Sequence, residues 1–255
     1  VRLGTNDLVL HCQFGEQSRG VRIAAPDSLP APGQISFRVV VPARGSWHTT
    51  IQVHPIIDGV EPPTRYPGEV PFETTVPARR LRDWQRSSPE VSTQHPALAL
   101  TLRRSREDLG ALRIFDPTHP DRPPTIAAGA PWFMTLFGRD SLLTSWMALP
   151  LDQSLALGTL ATLAELQGTV EDPLTEEEPG RILHELRFGV EAGRALGGGS
   201  AYYGSVDATP LFVMLLGELR RWGLHRDEVQ ALLPHADRAL EWIERYGDAD
   251  GDGFV

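Results

Sequence analysis

The chain has 255 residues, of which 41% are hydrophobic and 22% charged. That balance suits a folded protein with room for two domains and excludes a largely disordered one. A net charge of −9 with no visible basic patch excludes a nucleic-acid or anionic-membrane surface as the expected partner.

Cys12 is the single cysteine, so no internal disulfide is expected. No signal peptide is visible, and no apolar run reaches the about 18 residues that span a bilayer, so a cytoplasmic setting is expected. Both ends read as cut, and the chain is expected to belong to a longer polypeptide.

In chain order, residues 1–78 read as β structure. Ile35, Phe37, Val39 and Val41 alternate with Ser36, Arg38 and Val40, and Ile51, Val53 and Pro55 alternate with Gln52 and His54. Pro30-Ala31-Pro32-Gly33, Pro62-Pro63 and Pro67-Gly68 punctuate the runs. The expectation is a partial antiparallel β-sandwich. Residues 79–128 read as a polar linker with one helix over 96–112, where Leu98, Leu102, Leu109 and Leu112 fall near one face.

From Asp140 the period becomes helical. One stripe is Leu142, Leu143, Trp146 and Met147, and a second is Leu155, Ala156, Leu160, Leu163 and Leu166, stopping near Gly168. A third helix is expected to start with Thr209 as its cap and Pro210 at the first helical position. Its body, Leu211 to Leu216, is apolar almost all round and reads as buried on both sides. A fourth carries Val229, Leu232, Leu233, Ala236, Leu240 and Ile243 and stops at Gly247. Two helix pairs with long loops between them fit the opening of an α/α toroid over 129–255 better than a four-helix bundle, whose connections are usually short.

The stretch from Ala130 to Ser141 holds the clearest chemistry. Trp132, Phe133 and Phe137 offer apolar walls, Arg139 a rigid fork of donors and Asp140 acceptors. A sugar ring, with apolar C–H faces and a rim of hydroxyls that donate and accept, matches such a surface. An ion pair at a helix start explains the same residues without a ligand. The long loop over 169–189 adds Glu185 as an acid, a base or a hydroxyl acceptor, and His184 as a donor. Glu176 and Glu177 read as a solvated acidic turn leading to a short helix. His184 and Glu185 do not make a zinc site, because no second histidine follows at helical spacing. The loop over 197–207 brings three glycines, Tyr202, Tyr203 and Asp207. The segment 248–253 matches the first half of a calcium loop, yet an Asp/Gly turn that ends a helix needs no ion. No metal and no cofactor are assigned.

Four segments in order resemble the glycogen-debranching, amylo-α-1,6-glucosidase-like glycoside hydrolases of bacteria. They are Pro131-Trp132-Phe133 with Phe137-Gly138-Arg139-Asp140-Ser141; Glu178-Pro179-Gly180-Arg181-Ile182-Leu183-His184-Glu185; the run from Tyr202 to Phe212; and the run from Arg245 to Phe254. The resemblance covers about half of the chain. It implies an N-terminal β-sandwich joined to a six-hairpin (α/α)6 catalytic barrel, an α-glucan substrate, and inverting hydrolysis of a terminal α-glucosidic bond. It also implies that the Arg-Asp-Ser element holds hydroxyls of the non-reducing-end sugar. Inversion takes one carboxylic acid and one carboxylate about 6.5–9.5 Å apart. In such barrels the acid follows the fifth or sixth helix and the base lies near the last ones, so both are expected beyond Val255. No catalytic residue is assigned to this chain. The expected substrate wall is Trp132, Phe137, Arg139, Asp140, His184, Glu185, Tyr203 and Asp207. The alternatives are another six-hairpin hydrolase, acting on trehalose or mannosylglycerate, and a noncatalytic sugar-binding protein.

Overall fold

The computed structural model describes residues 1–15, 17–63, 70–116, 118–186, 200–248 and 251–255. The chain divides into two compact units, Val1–Arg82 and Asp83–Val255.

In the first unit, β1 (Arg2–Leu3), β2 (Asp7–Phe14), β3 (Gln17–Ala24) and β6 (Gln52–Ile57) form one antiparallel sheet in the order β1-β2-β3-β6. A hairpin of β4 (Leu29–Ala31) and β5 (Gln34–Ser36) lies against β2. β6 ends in an Asp58-Gly59 turn with φ of 50° and 80°, the left-handed pair that suits the twist of a two-residue hairpin. The Asp58 carboxylate accepts from the Ser18 amide and from Arg19, both at 2.8 Å, and ties the turn to the start of β3. Leu8, Val9 and Ala25 supply a small core.

The strand expected over 35–41 is regular only to Ser36, and Val40 is 92% exposed. Val39, Val40 and Val41 are a continuous apolar run followed by Pro42, and no strand lies beside them to complete a ladder among the described residues.

In the second unit, the end of α1 (Val76–Ser87) and α2 (Pro96–Ala111) pack around Trp84. Its indole donates to the Arg106 carbonyl at 2.8 Å, and the Arg113 guanidinium stands 4.8 Å above the ring. His95 caps α2 by accepting the Leu98 amide through Nδ1, with Pro96 at the first helical position. The short strands β7 (Arg113–Ile114) and β8 (Thr125–Ile126) pair with each other.

Four further helices carry the main core: α3 (Gly138–Ala148), α4 (Ser154–Glu165), α5 (Ala208–Trp222) and α6 (Arg226–Trp242). α3 packs on α4 and α5, α4 also reaches α5 and α6, and α5 packs on α6. Leu155, Leu160, Leu163, Phe212, Leu215 and Leu219 are fully buried, each worth about 1.5–3 kcal/mol of transfer free energy. Among the described residues these helices form no closed barrel.

Three expectations about the helices need correction. The body of α5 is not buried on both sides, since Met214 is 48% exposed. The α3 stripe is rotated: Met147 is 74% exposed, and the buried face is Gly138, Ser141, Leu142, Ser145 and Ala148. Small residues let the backbones of α3 and α4 approach, and the Ser145 and Thr159 hydroxyls bond each other at 3.0 Å inside the contact. Thr209 does not cap α5. Asp207 holds the cap position, and the Thr209 hydroxyl instead accepts the Ile182 amide at 3.0 Å. The fourth helical run does stop at Gly247, after a π-helical turn over Ile243–Gly247.

Candidate functional site

Residues 135–138, 184–186 and 201–202 form a small three-stranded patch. β9 (Glu185–Leu186) pairs with β10 (Ala201–Tyr202) on one side and with Phe137 on the other. The Gly138 amide donates to the His184 carbonyl at 2.8 Å, the Leu186 amide to Leu136 at 3.0 Å, and the His184 amide to Tyr202 at 2.7 Å. The backbone groups of β9 are taken by a neighbour on each side.

The patch delivers the chain straight into α3, and α5 starts beside it. Gly138 makes this approach possible: a Cβ there would lie 2.2 Å from the Leu183 carbonyl oxygen and 2.8 Å from the Ala208 Cβ. Two helix N-termini therefore stand side by side, with Arg139 on one and Asp207 on the other. Arg139 Nη1 donates to Asp207 Oδ2 at 2.8 Å. Sequence reading set Arg139 beside Asp140 as a clamp, whereas the guanidinium bonds a carboxylate 68 positions away. Asp140, on the first turn of α3, has no hydrogen-bond or ion-pair partner among the described residues.

Phe133, Phe137, His184 and Tyr202 form a chain of edge-to-face rings with centroids 5.8, 5.9 and 6.0 Å apart. Phe137 sits inside this chain at 7% exposure, so it supports the surface rather than presenting a face to solvent. Trp132 is 85% exposed at the tip of a turn closed by two hydrogen bonds between Gly129 and Phe133. Glu185 is half-buried on β9, opposite Phe137 and Tyr202.

Tyr203 belongs to the core. Its hydroxyl donates to the Leu166 carbonyl at 2.8 Å, and burial, helped by Glu177, pushes the phenol up to about 12. The aromatic that reaches His184 is its neighbour Tyr202, whose hydroxyl donates to Glu176 at 2.7 Å. That bond raises the Tyr202 phenol above its ordinary value and keeps it a donor. Period-two alternation implies that one of two adjacent tyrosines on a strand faces inward, but it does not say which.

The acidic turn is structural as well. Glu177 accepts the Thr169 amide at 2.8 Å and the Val170 amide at 3.4 Å. Glu178 accepts from Arg181 at 3.1 Å and from the Trp242 indole at 2.7 Å. Ser141 likewise serves the fold, bonding the Ile126 carbonyl and the Phe137 amide.

His184 Nδ1, Ser205 Oγ and Asp207 Oδ1 are buried here with no hydrogen-bond partner among the described residues. Each such atom costs about 1–3 kcal/mol when left unmet. Ser205 was missed by sequence reading, since a lone serine before a helix carries no distinguishing pattern. Of these groups, Asp207 is the one bonded to Arg139, and Asp140 follows Arg139 on the first turn of α3.

At the other end of the unit, Asp248 accepts the Gly253 amide at 3.1 Å and Asp252 the Phe254 amide at 2.9 Å. Asp250 lies outside the described residues, as do the three consecutive glycines at 197–199. Among the described residues no cluster of three metal-ligating side chains occurs, and no helix is long and apolar enough to cross a membrane. Compared with known proteins, the chain matches no family model, and no curated protein is found to be similar to it.

Proposed function

We propose that the surface where α3 and α5 begin is a sugar-holding subsite of a glycoside hydrolase acting on α-glucosidic bonds, of the amylo-α-1,6-glucosidase kind. The observation that carries this reading is the set of unmet polar atoms around the Arg139–Asp207 pair. Among the described residues Asp207 Oδ1, Ser205 Oγ and His184 Nδ1 lack partners, and the carboxylate of Asp140, the residue after Arg139, is unpaired. A pyranose ring supplies hydroxyls that donate to the carboxylates and accept from Arg139, with charge-assisted bonds to both. Trp132 offers an apolar face for the C–H side of a ring.

In this reading the chain binds and orients. Inversion requires a protonated acid at the glycosidic oxygen and a carboxylate that activates water on the opposite face. Neither role is assigned to a residue of this chain, whose contribution is to hold the terminal sugar in the attack geometry. The sheet of the first unit is read as part of a β-sandwich and α3–α6 as the first part of an (α/α)6 toroid. A cytoplasmic setting completes the proposal, where the exposed thiol of Cys12 stays reduced.

The test is calorimetric titration of the chain with maltotetraose and with isomaltose, alongside cellobiose as a β-linked control. Saturable heat with an α-linked sugar, lost in Asp140→Ala with unchanged circular dichroism, supports the reading. Silence with both α-linked sugars in a folded chain removes it. Binding to a longer natural polypeptide that releases no glucose from branched α-glucan favours a noncatalytic sugar-binding protein instead.

A further inference from the structure

Away from the sugar surface, buried Gln167, half-buried His235 and exposed Arg238 form a knot whose hydrogen bonds contradict one another. Gln167 is 6% exposed just past the end of α4. Its amide orientation is fixed by three contacts: Nε2 donates to the Gly180 carbonyl at 2.8 Å and to the His235 carbonyl at 3.0 Å, and Oε1 accepts Arg238 Nε at 3.1 Å. His235 Nδ1 lies 3.0 Å from that same Oε1, which can only accept, and 2.8 Å from Arg238 Nη2, which can only donate. Nδ1 carries either a lone pair or a proton. As a lone pair it takes the Arg238 bond and opposes Gln167, and as N–H it takes the Gln167 bond and opposes Arg238.

We propose that this knot is an acid-operated latch on the strap formed by residues 176–184. With neutral His235, Arg238 is held by both the ring and Gln167, and Gln167 in turn holds the Gly180 carbonyl. Gly180 has φ of +93°, and a Cβ there would lie 2.2 Å from the Arg238 carbonyl oxygen, so the strap rests directly on this turn of α6. Protonation transfers the Nδ1 bond to Gln167 Oε1 and sets an imidazolium against the guanidinium. Arg238 leaves, and the strap loses the side chain that lines one cavity with Gly168, Pro179 and Gly180.

The surroundings favour the neutral ring at neutral pH. Arg238, on the same helix, is the charged group facing His235. The end of α4 presents the neutral Gln167 and the Ala164 carbonyl, and the strap presents the Gly180 carbonyl. The charged residues of the strap are engaged elsewhere: Glu176 with the Tyr202 hydroxyl, Glu177 with the Thr169 amide, and Glu178 with Arg181, which stands 5.1 Å above the Trp242 indole. Burial first and Arg238 second lower the imidazole below its ordinary value, against a smaller pull from Ala164.

The strap reports its own state, because the Gly180 amide bonds Gly168 at 2.8 Å and the Ile182 amide bonds Thr209. Hydrogen exchange read by NMR from about pH 7.5 to about pH 5, alongside the His235 ring titration, tests the latch. The expected result is a roughly tenfold or larger fall in protection at Gly180 and Ile182, centred on the His235 midpoint, with Leu215 and Leu219 of α5 unchanged. In His235→Asn the fall disappears. In Arg238→Met the His235 midpoint moves up toward the ordinary imidazole value, a readout that stands even where the asparagine variant folds poorly. Constant protection at the strap across the titration overturns the latch, and so does an equal loss over the whole unit.

Discussion

The sheet of the first unit and the α3–α6 cluster of the second hold themselves together by different means. In the sheet, β3 is nowhere fully buried and β6 buries only His54. Its fixed points are polar: Asp58 on Ser18 and Arg19, and Glu61 on Arg22 and, at 3.1 Å, on His54. In the helical cluster the large side chains are fully buried, and glycines bring backbone against backbone. A backbone ladder tolerates side-chain change along an exposed face, whereas a close-packed interior does not. The sheet should therefore accept truncations that the cluster refuses.

The sharpest form of that contrast is a pair of truncations. Phe212→Ala, at a fully buried position of α5, is expected to cost about 3–5 kcal/mol, from lost transfer free energy and the cavity left behind. Val53→Ala, on an exposed position of β6, is expected to stay within about 0.5 kcal/mol. Urea unfolding followed by circular dichroism measures both. Equal costs would mean that the two units do not differ in the way described.

A second contrast sets one glycine against the rest of its helix. Gly138→Ala drives a methyl group into the Leu183 carbonyl and Ala208, neither of which is the free end of a flexible side chain. Overpacking of this kind costs about 1–3 kcal/mol, occasionally more, and here it also pushes α3 away from α5. The Arg139–Asp207 distance should lengthen with it, so loss of stability and loss of sugar binding are expected together.

What was legible in the sequence follows the same division. α4 reads cleanly because Leu155, Ala156, Leu160 and Leu163 are large or aliphatic and all buried. α3 misleads, since its buried face is Gly138, Ser141 and Ser145, residues that hydrophobic periodicity does not count. In the first unit, alternation over 35–41 suggested a strand that the structure does not form, because alternation describes one strand and says nothing of a partner. At the site, Arg139, Asp140, His184 and Asp207 were each visible as chemistry. The pairing of Arg139 with Asp207 was not, because it depends on two helices meeting at Gly138. Local pattern likewise left Tyr202 and Tyr203 undistinguished, and burial separates them.

Smaller effects probe the site and the knot. Asp207→Asn keeps the side-chain shape and removes the charge that holds Arg139. If the sugar proposal is right, affinity for maltotetraose should fall about tenfold, or about 1.4 kcal/mol. Stability should barely move, because an exposed pair of this kind contributes about 0–1 kcal/mol. His235 sets a pH dependence of known sign. Its folded value lies below the unfolded one, so the unfolded chain binds the proton first. Stability is then level above about pH 7 and declines as pH falls from about 6.5. Arg238→Met should flatten that decline, as read by thermal melts at each pH.

The smallest expected effect is also the one with the opposite sign. Gly217 lies inside α5 on its exposed side, with no atom within 4 Å of where a Cβ would stand. Gly217→Ala removes backbone freedom from the unfolded chain and introduces no clash, so it should stabilise by about 0.5–1 kcal/mol. Gly138 and Gly217 have the same composition and both lie within helices, and only their surroundings differ. A shift of the urea midpoint upward for Gly217→Ala and downward for Gly138→Ala would attribute the cost at 138 to the Leu183 carbonyl and Ala208 rather than to helix propensity. A downward shift at Gly217 as well would mean that something in the folded chain packs on that face of α5.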